Sequence, residues 1–278
     1  MRRQLRSATM LLVSLVASTT YGSTLFPKTI DFATDSTGTP LANGQAVTDT
    51  SGVPTLAVSD LFVLSAPQSA GVNTDNLGLA IFDSDPVGPN IDPPGKDGDL
   101  LVDQGNVLIL QNDAFPTQTT PGIFDTPNDE ASNGNNGYLL FEFVDPVELV
   151  AIDVVDIDDN ESLTITLTDT GGLTRTFSVP EHFTNDIADE GPAGFETILL
   201  LVLSDQEGEG TGGPTTAVED LGFDEVRVVK LEIALGGSTS AAFNNLVIGG
   251  VTTMEIPEPA AMALLLVAAS SGLYARRR

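Results

Sequence analysis

The chain has 278 residues, with no cysteine and no tryptophan, and 39 acids against 11 lysines and arginines give a formal net charge of −28 at pH 7. Such a chain repels nucleic acid and anionic membrane surfaces and attracts divalent cations, so nucleic acid drops out as a partner. Without cysteine there are no disulfides, thiol nucleophiles or thiolate metal sites, and the fold must rest on an apolar core or on bound ions.

The first segment reads as a secretory signal peptide. Arg2, Arg3 and Arg6 precede an apolar run from Ala8 to Ala17, and small residues follow around Ser18 to Ser23. Cleavage after Gly22 leaves a body over residues 23–249, one domain by length and large enough to bury a core unaided. Six of the eleven cations lie in the two terminal segments. The exported chain, residues 23–256, therefore keeps only Lys28, Lys96, Arg175, Arg227 and Lys230, which against 38 acids give a net charge of −33. That excess suits divalent cations, and it equally suits a solvated surface in salty water.

The body reads as about ten short strands separated by Gly, Pro, Asn and Asp. The expected strands run over Thr29–Phe32, Leu56–Leu64, Leu77–Phe82 and Val107–Leu110. Tyr138–Val144 and Val147–Val155 follow, joined by a turn at Asp145-Pro146. Leu163, Ile165 and Leu167 alternate with Thr164, Thr166 and Thr168, which puts one set inside and threonine on water. Gly171-Gly172 turns the chain into Thr174–Val179 as a hairpin. Ile198–Leu203 is apolar throughout, as for a strand buried on both faces. Val229, Leu231, Ile233 and Leu235 alternate with Lys230 and Glu232, and Ala241–Ile248 closes the set. Asn112–Gly137 and the glycine-rich Ser204–Asp224 read as flexible surface loops. No internal repeat stands out. The expected fold is all-β: an antiparallel two-sheet β-sandwich, most simply a jelly roll.

Residues 250–256 read as a linker, and the last segment, 257–278, has three consecutive parts. Pro257-Glu258-Pro259 holds the backbone extended. Ala260–Ala275 carries no charge, and its sixteen residues span roughly 24 Å as a helix, short of a roughly 30 Å hydrocarbon core. Arg276, Arg277 and Arg278 then stay on the cytoplasmic side. In these residues the chain resembles the PEP-CTERM proteins, whose Pro-Glu-Pro, transmembrane helix and basic cluster form a sorting signal. The resemblance implies a Gram-negative bacterium, an exosortase in the inner membrane as partner, and removal of the tail near Pro257-Glu258-Pro259. It also implies a transient membrane tether through the helix, then a place at the cell surface or in an exopolysaccharide or biofilm matrix.

The segments IDFATDSTGTPL, AIFDSDPVGP, GNVLIL, AIDVVDIDDNE and AFNNLVI are similar to the sandwich of many PEP-CTERM proteins and, more loosely, to carbohydrate-binding jelly rolls. In those modules an acid on the first strand and an Asp or Asn beginning the last strand share a structural calcium. The matching residues here are Asp31 and Asn244, with Asn245 as a further candidate beside it, and Asn244 is neutral where Asp is commoner. Read from composition, the densest acidic loops hold Asp83 and Asp85, Asp97 and Asp99, and Asp156 and Asp158. Calcium takes six to eight oxygens, which such loops can supply where they converge. The rival reading is that these residues make Asx-turns and end strands.

Catalysis has little to draw on. His182 is the only histidine, and no GxSxG elbow or HExxH helix accompanies it. No carboxylate pair for glycoside hydrolysis stands out among so many acids. For sugar binding, Tyr138 is the only tyrosine of the body, at the head of a core strand, while Phe62, Phe82, Phe141, Phe143 and Phe195 read as core. The expectation is an exported, non-enzymatic envelope or matrix protein. A carbohydrate-binding module is the first rival, and an exopolysaccharide hydrolase the second.

Overall fold

The computed structural model describes residues 27–68, 72–73, 76–91, 98–129, 137–157, 161–184, 194–210, 212–237 and 241–249. The chain divides into two compact units, Leu25–Val251 and a second made of Met1–Thr24 with Thr252–Arg278. The second unit lies outside the described residues, as do the signal peptide, the linker and the expected sorting helix. Among the described residues no helix is long and apolar enough to cross a membrane.

Among the described residues the body is all-β and its strand pairs are antiparallel. Twelve strands occur there in order: β1 (Lys28–Ile30), β2 (Phe62–Ser65), β3 (Asn76–Asp83), β4 (Asn106–Asn112), β5 (Tyr138–Val155) and β6 (Glu161–Asp169). β7 (Thr174–Val179), β8 (Phe195–Leu199), β9 (Gln206–Glu207), β10 (Pro214–Glu219), β11 (Val228–Gly237) and β12 (Ala242–Gly249) follow. The hydrogen-bonded path runs β3-β4-β12-β5-β11-β6-β7-β10-β9, while β1 pairs with β12, and β2 and β8 pair with β5.

β5 is the hinge of this arrangement. Its first half pairs with β2 and β11, and its second half with β8 and β12. The expected turn at Asp145-Pro146 is therefore absent: one 18-residue strand passes straight through. Proline is tolerated because the ladder to β11 shifts register there, between the Glu142 and Val147 pairings, and needs no proline donor. Side chains from both halves meet in one cluster. Phe62, Leu64, Phe141, Leu163, Ile165 and Ile233 come from one half, and Leu108, Ile152, Val154, Phe243, Leu246 and Ile248 from the other. Each such side chain, fully buried, contributes about 1.5–3 kcal/mol.

β3 and β4 are buried on both faces. Leu79, Ile81, Leu108 and Leu110 face the main cluster, while Ala80, Phe82, Val107 and Ile109 face a second one. That second cluster is closed by Leu100 and Phe124, which come from loops. The segment before β5 is thus in part a lid over the outer face, with Phe124, Asn128 and Asp129 buried, and not simply a flexible excursion. The outer edge of β3 is paired as well: Val47 N donates to Leu79 O at 2.8 Å and Ile81 N to Gln45 O at 3.0 Å.

Several boundaries differ from the sequence expectation. Leu56–Leu64 shortens to β2, because the chain turns at Ser59, whose hydroxyl takes the Leu61 N–H. Ile198–Leu203 is no doubly buried strand. β8 lies at an edge and ends at Leu199; Ile198 and Leu200 point inward, while Leu199, Leu201 and Leu203 are 43%, 37% and 45% exposed. Phe195, expected in the core, is also exposed, at 39%. In β11 the expected inward residue Val229 is replaced by Val228, owing to a bulge between Val228 and Lys230.

The glycine-rich Ser204–Asp224 contains β9 and β10, which extend the sheet beyond β7. Its alternate glycines serve close packing, not flexibility. Gly210 N donates to Phe183 O and Gly212 N to His182 O. A Cβ added at Gly210 would stand 1.7 Å from His182 O.

Candidate functional site

The acidic loops resolve into turns first. Asp35, Asp49 and Asp169 open three five-residue turns, Asp35-Ser-Thr-Gly-Thr39, Asp49-Thr-Ser-Gly-Val53 and Asp169-Thr-Gly-Gly-Leu173. In each, the first N–H donates to the fifth carbonyl, and the glycine N–H returns to the Asp carbonyl. Each Asp Oδ1 accepts the N–H of the third residue, at 2.8, 2.9 and 2.7 Å, and of the fifth, at 2.9, 3.0 and 2.9 Å. The fourth residue is glycine because φ is +85°, +77° and +82° there. This is an internal repeat of a local device, legible as D-x-x-G-x in the sequence and missed there.

These bonds favour ionised carboxylates. The Thr37 hydroxyl, with Thr39, holds Asp35 below the usual range. The Ser51 hydroxyl, with the Val53 amide, does the same for Asp49. For Asp169 burial pushes upward, but the amides of Asp224, Leu173, Gly171 and Gly172 together outweigh it and leave the group lowered.

The residues singled out for calcium separate into three groups. Asp31 is exposed, and its Oδ1 accepts Ala33 N at 3.1 Å. Asp83 and Asp85 are likewise used by the backbone, accepting Asp85 N at 3.1 Å and Val87 N at 2.9 Å. Asp97 and Asp158 lie outside the described residues. Asp156 is buried with φ +59°, its N–H donating to Gly194 O. Asp99 and Asn244 each carry a buried Oδ1 that receives no hydrogen bond. Among the described residues no three acidic or histidine side chains converge on one point.

Asn244 belongs to a polar network under the loop that leads into β4. β12 changes neighbours along its length, from β4 at Phe243 to β1 at Leu246, and Asn245 bulges between them with φ +45°. The bulge brings both asparagines to Gln104: Asn244 Nδ2 donates to the Gln104 carbonyl at 2.8 Å, and Asn245 Nδ2 to its Oε1 at 3.0 Å. Asn245 Nδ2 also lies 2.8 Å from Asp153 Oδ2, and the Thr197 hydroxyl donates to Asp153 Oδ1 at 2.5 Å. Both Asp153 oxygens are thereby engaged. Next to it, burial raises the Glu196 carboxyl; the Glu209 amide opposes this, and the charges of Glu209 and Asp153 add to it.

The outward face of β5-β11-β6 carries a small hollow of about 250 Å³. In register across these strands stand Tyr138, Ala234 and Thr164, with Gly236 beside Ser162. The small residues of β11 form the floor, Tyr138 one wall, and Ser162 and Thr164 the other. The Tyr138 hydroxyl donates to Glu232, whose other oxygen takes Lys230 Nζ at 2.6 Å. Burial, then Glu232, pushes the phenol well above its usual range. Burial pushes Glu232 up, but Lys230 and Tyr138 outweigh it and leave it lowered. From the sequence Tyr138 reads as the start of a core strand, whereas its odd–even position turns it outward and half-buried.

No family model matched this chain, and no curated protein matched it either. His182 sits with φ +54° in the loop after β7, and its carbonyl receives Gly212 N. What these sites share is a lining rich in oxygen acceptors and hydroxyls.

Proposed function

We propose that the chain is an exported, non-enzymatic protein of the bacterial cell envelope or extracellular matrix, cut from a C-terminal sorting tail by an exosortase and associated with exopolysaccharide. The observation that carries this reading is the position of the two ends of the body. β1 and β12 pair with each other, Lys28 opposite Ile248 and Thr29 opposite Val247. The chain before Lys28 and the chain after Gly249 therefore leave the paired strands at adjacent points. The acidic tripeptide and basic end of the tail, Pro257 to Pro259 and Arg276 to Arg278, supply the address. The body is a jelly-roll-like sandwich in this reading, supported by the two sets of partners along β5 and the cluster that both sets fill.

A structural calcium forms part of the proposal. Hard oxygen acceptors with no donor are what such an ion takes, and Asp99 Oδ1 and Asn244 Oδ1 fit that description. Asp31, Asp83 and Asp85 each give one oxygen, Oδ1, to a turn amide.

The intact mass of the protein recovered from its own cells tests the delivery account. The expected mass lacks residues 1–22 and ends near Pro257. A native protein that keeps Arg276 to Arg278 overturns it. For calcium, the melting temperature of the purified body should rise on titration, and the rise should vanish in D99N; no rise removes the ion.

A further inference from the structure

The hollow beside Tyr138 has the shape of a short trough along β11, one strand wide. Its walls stand on β5 and β6, about 10 Å apart as two strand spacings. The bond between Tyr138 and Glu232 stands at one end, and Val72, Gly137 and Leu235 complete the lining. About 250 Å³ is below the usual range for a free small ligand and suits a single ring of a longer molecule.

Three observations limit the chemistry of that ring. The Tyr138 side chain is held by its hydroxyl, so it offers a fixed aromatic surface with little freedom to lose on contact. Facing it are hydroxyl side chains: beyond Thr164, the outward positions of β6 and β7 are Thr166, Thr168, Thr174, Thr176 and Ser178, none of them charged. Glu232, bonded to the phenol, has one oxygen on Tyr138 and the other on Lys230, whose charge offsets its own. Anions are kept away by the acid excess of the body.

We propose that this trough binds one pyranose ring of an uncharged polysaccharide, its C–H face against Tyr138 and its hydroxyls toward Thr164 and Ser162. The choice of polysaccharide rests on the export reading above; the trough and its lack of available charge do not. The hydroxyl face of β6 and β7 then carries the neighbouring sugars of the strand.

Tyr138 is the only tyrosine in residues 23–256, and the chain has no tryptophan, so intrinsic fluorescence of that body reports this trough alone. The body is titrated with dextran, laminarin and galactomannan, and with alginate and a deacetylated glucosamine polymer as charged controls. Affinity electrophoresis in the same polymers gives a second readout. A saturable fluorescence change with at least one uncharged polymer is expected, with retardation reduced tenfold or more in T164K, which fills the trough from the solvent side. Y138F keeps the ring but frees it from Glu232 and should weaken retardation by less than tenfold, whereas Y138A should lose it. Binding only to a charged polymer, binding unchanged in a T164K protein that melts like the parent, or no binding to any uncharged polymer overturns the site. None of these results touches the delivery account, which the mass of the native protein decides separately.

Discussion

Arg175 gives the sharpest test of how this body holds its outer strands. The residue is 2% exposed. Its guanidinium donates to Glu219 at 2.7 Å, to the Leu200 carbonyl at 2.9 Å and to Glu225 at 3.3 Å, and lies 4.8 Å from the Phe223 ring centre. One side chain thus ties β7 to β10, to the end of β8 and to the turn before β11. Methionine keeps the apolar stem and deletes the fork. Breaking a buried ion pair costs about 3–5 kcal/mol when the partner is left buried and charged. Here the Glu219 and Glu225 side chains are 24% and 55% exposed and regain water, so the lower end applies. R175M should lose about 3 kcal/mol, an order-of-magnitude figure, which for a domain of this size lowers Tm by about 6–12 °C. R175K, with the charge but one donor point, should fall between. Calorimetry and urea unfolding of the body measure both. A loss below about 1 kcal/mol in R175M, the value of an ordinary surface pair, would refute the clamp.

Three further expectations follow from the same geometry. The carboxyls of Asp35, Asp49 and Asp169 are lowered in the fold, so their contribution is present above the unfolded value of about 3.9 and fades as pH falls through it toward the folded values. Urea midpoints should therefore drop on acidification through that window, less steeply in D49N, and carboxyl-carbon shifts that titrate at the ordinary position would contradict this. Gly210→Ala must displace the His182 carbonyl and should cost about 1–3 kcal/mol, whereas Gly98→Ala, with nothing within 4 Å of the added carbon, should be silent in the same melt. Gln206 bonds both backbone groups of Leu199 through its amide. Q206A should uncover the β8 edge beside exposed Leu201 and Leu203 and raise the sedimenting aggregate fraction on incubation.

The alternating residues of β6, β7 and β11 made the strands legible, because one sheet face is apolar and the other wet. What the sequence could not display was which strands share a neighbour. Tyr138–Val144 and Val147–Val155 look separate because Asp145-Pro146 is a common turn pair, and only the register shift against β11 lets the proline sit within a strand. Ile198–Leu203 looks buried because an edge strand and a central one share the same composition. Of the site, Asn244 and Asp99 were legible as oxygen donors. The trough was not, since it depends on Ala234 and Gly236 being small opposite an outward Tyr138. Asp35, Asp49 and Asp169 show the converse: their spacing to glycine was in plain view and meant turns.

The pairing of β1 with β12 has a mechanical consequence. β12 is flanked on both sides, by β5 along one edge and by β4 then β1 along the other. A pull on the chain beyond Gly249 acts along the strand axis, so the ladders on either side resist by sliding together and do not unzip one bond at a time. A body hung in flowing medium from this end would be gripped at a strand paired along both edges.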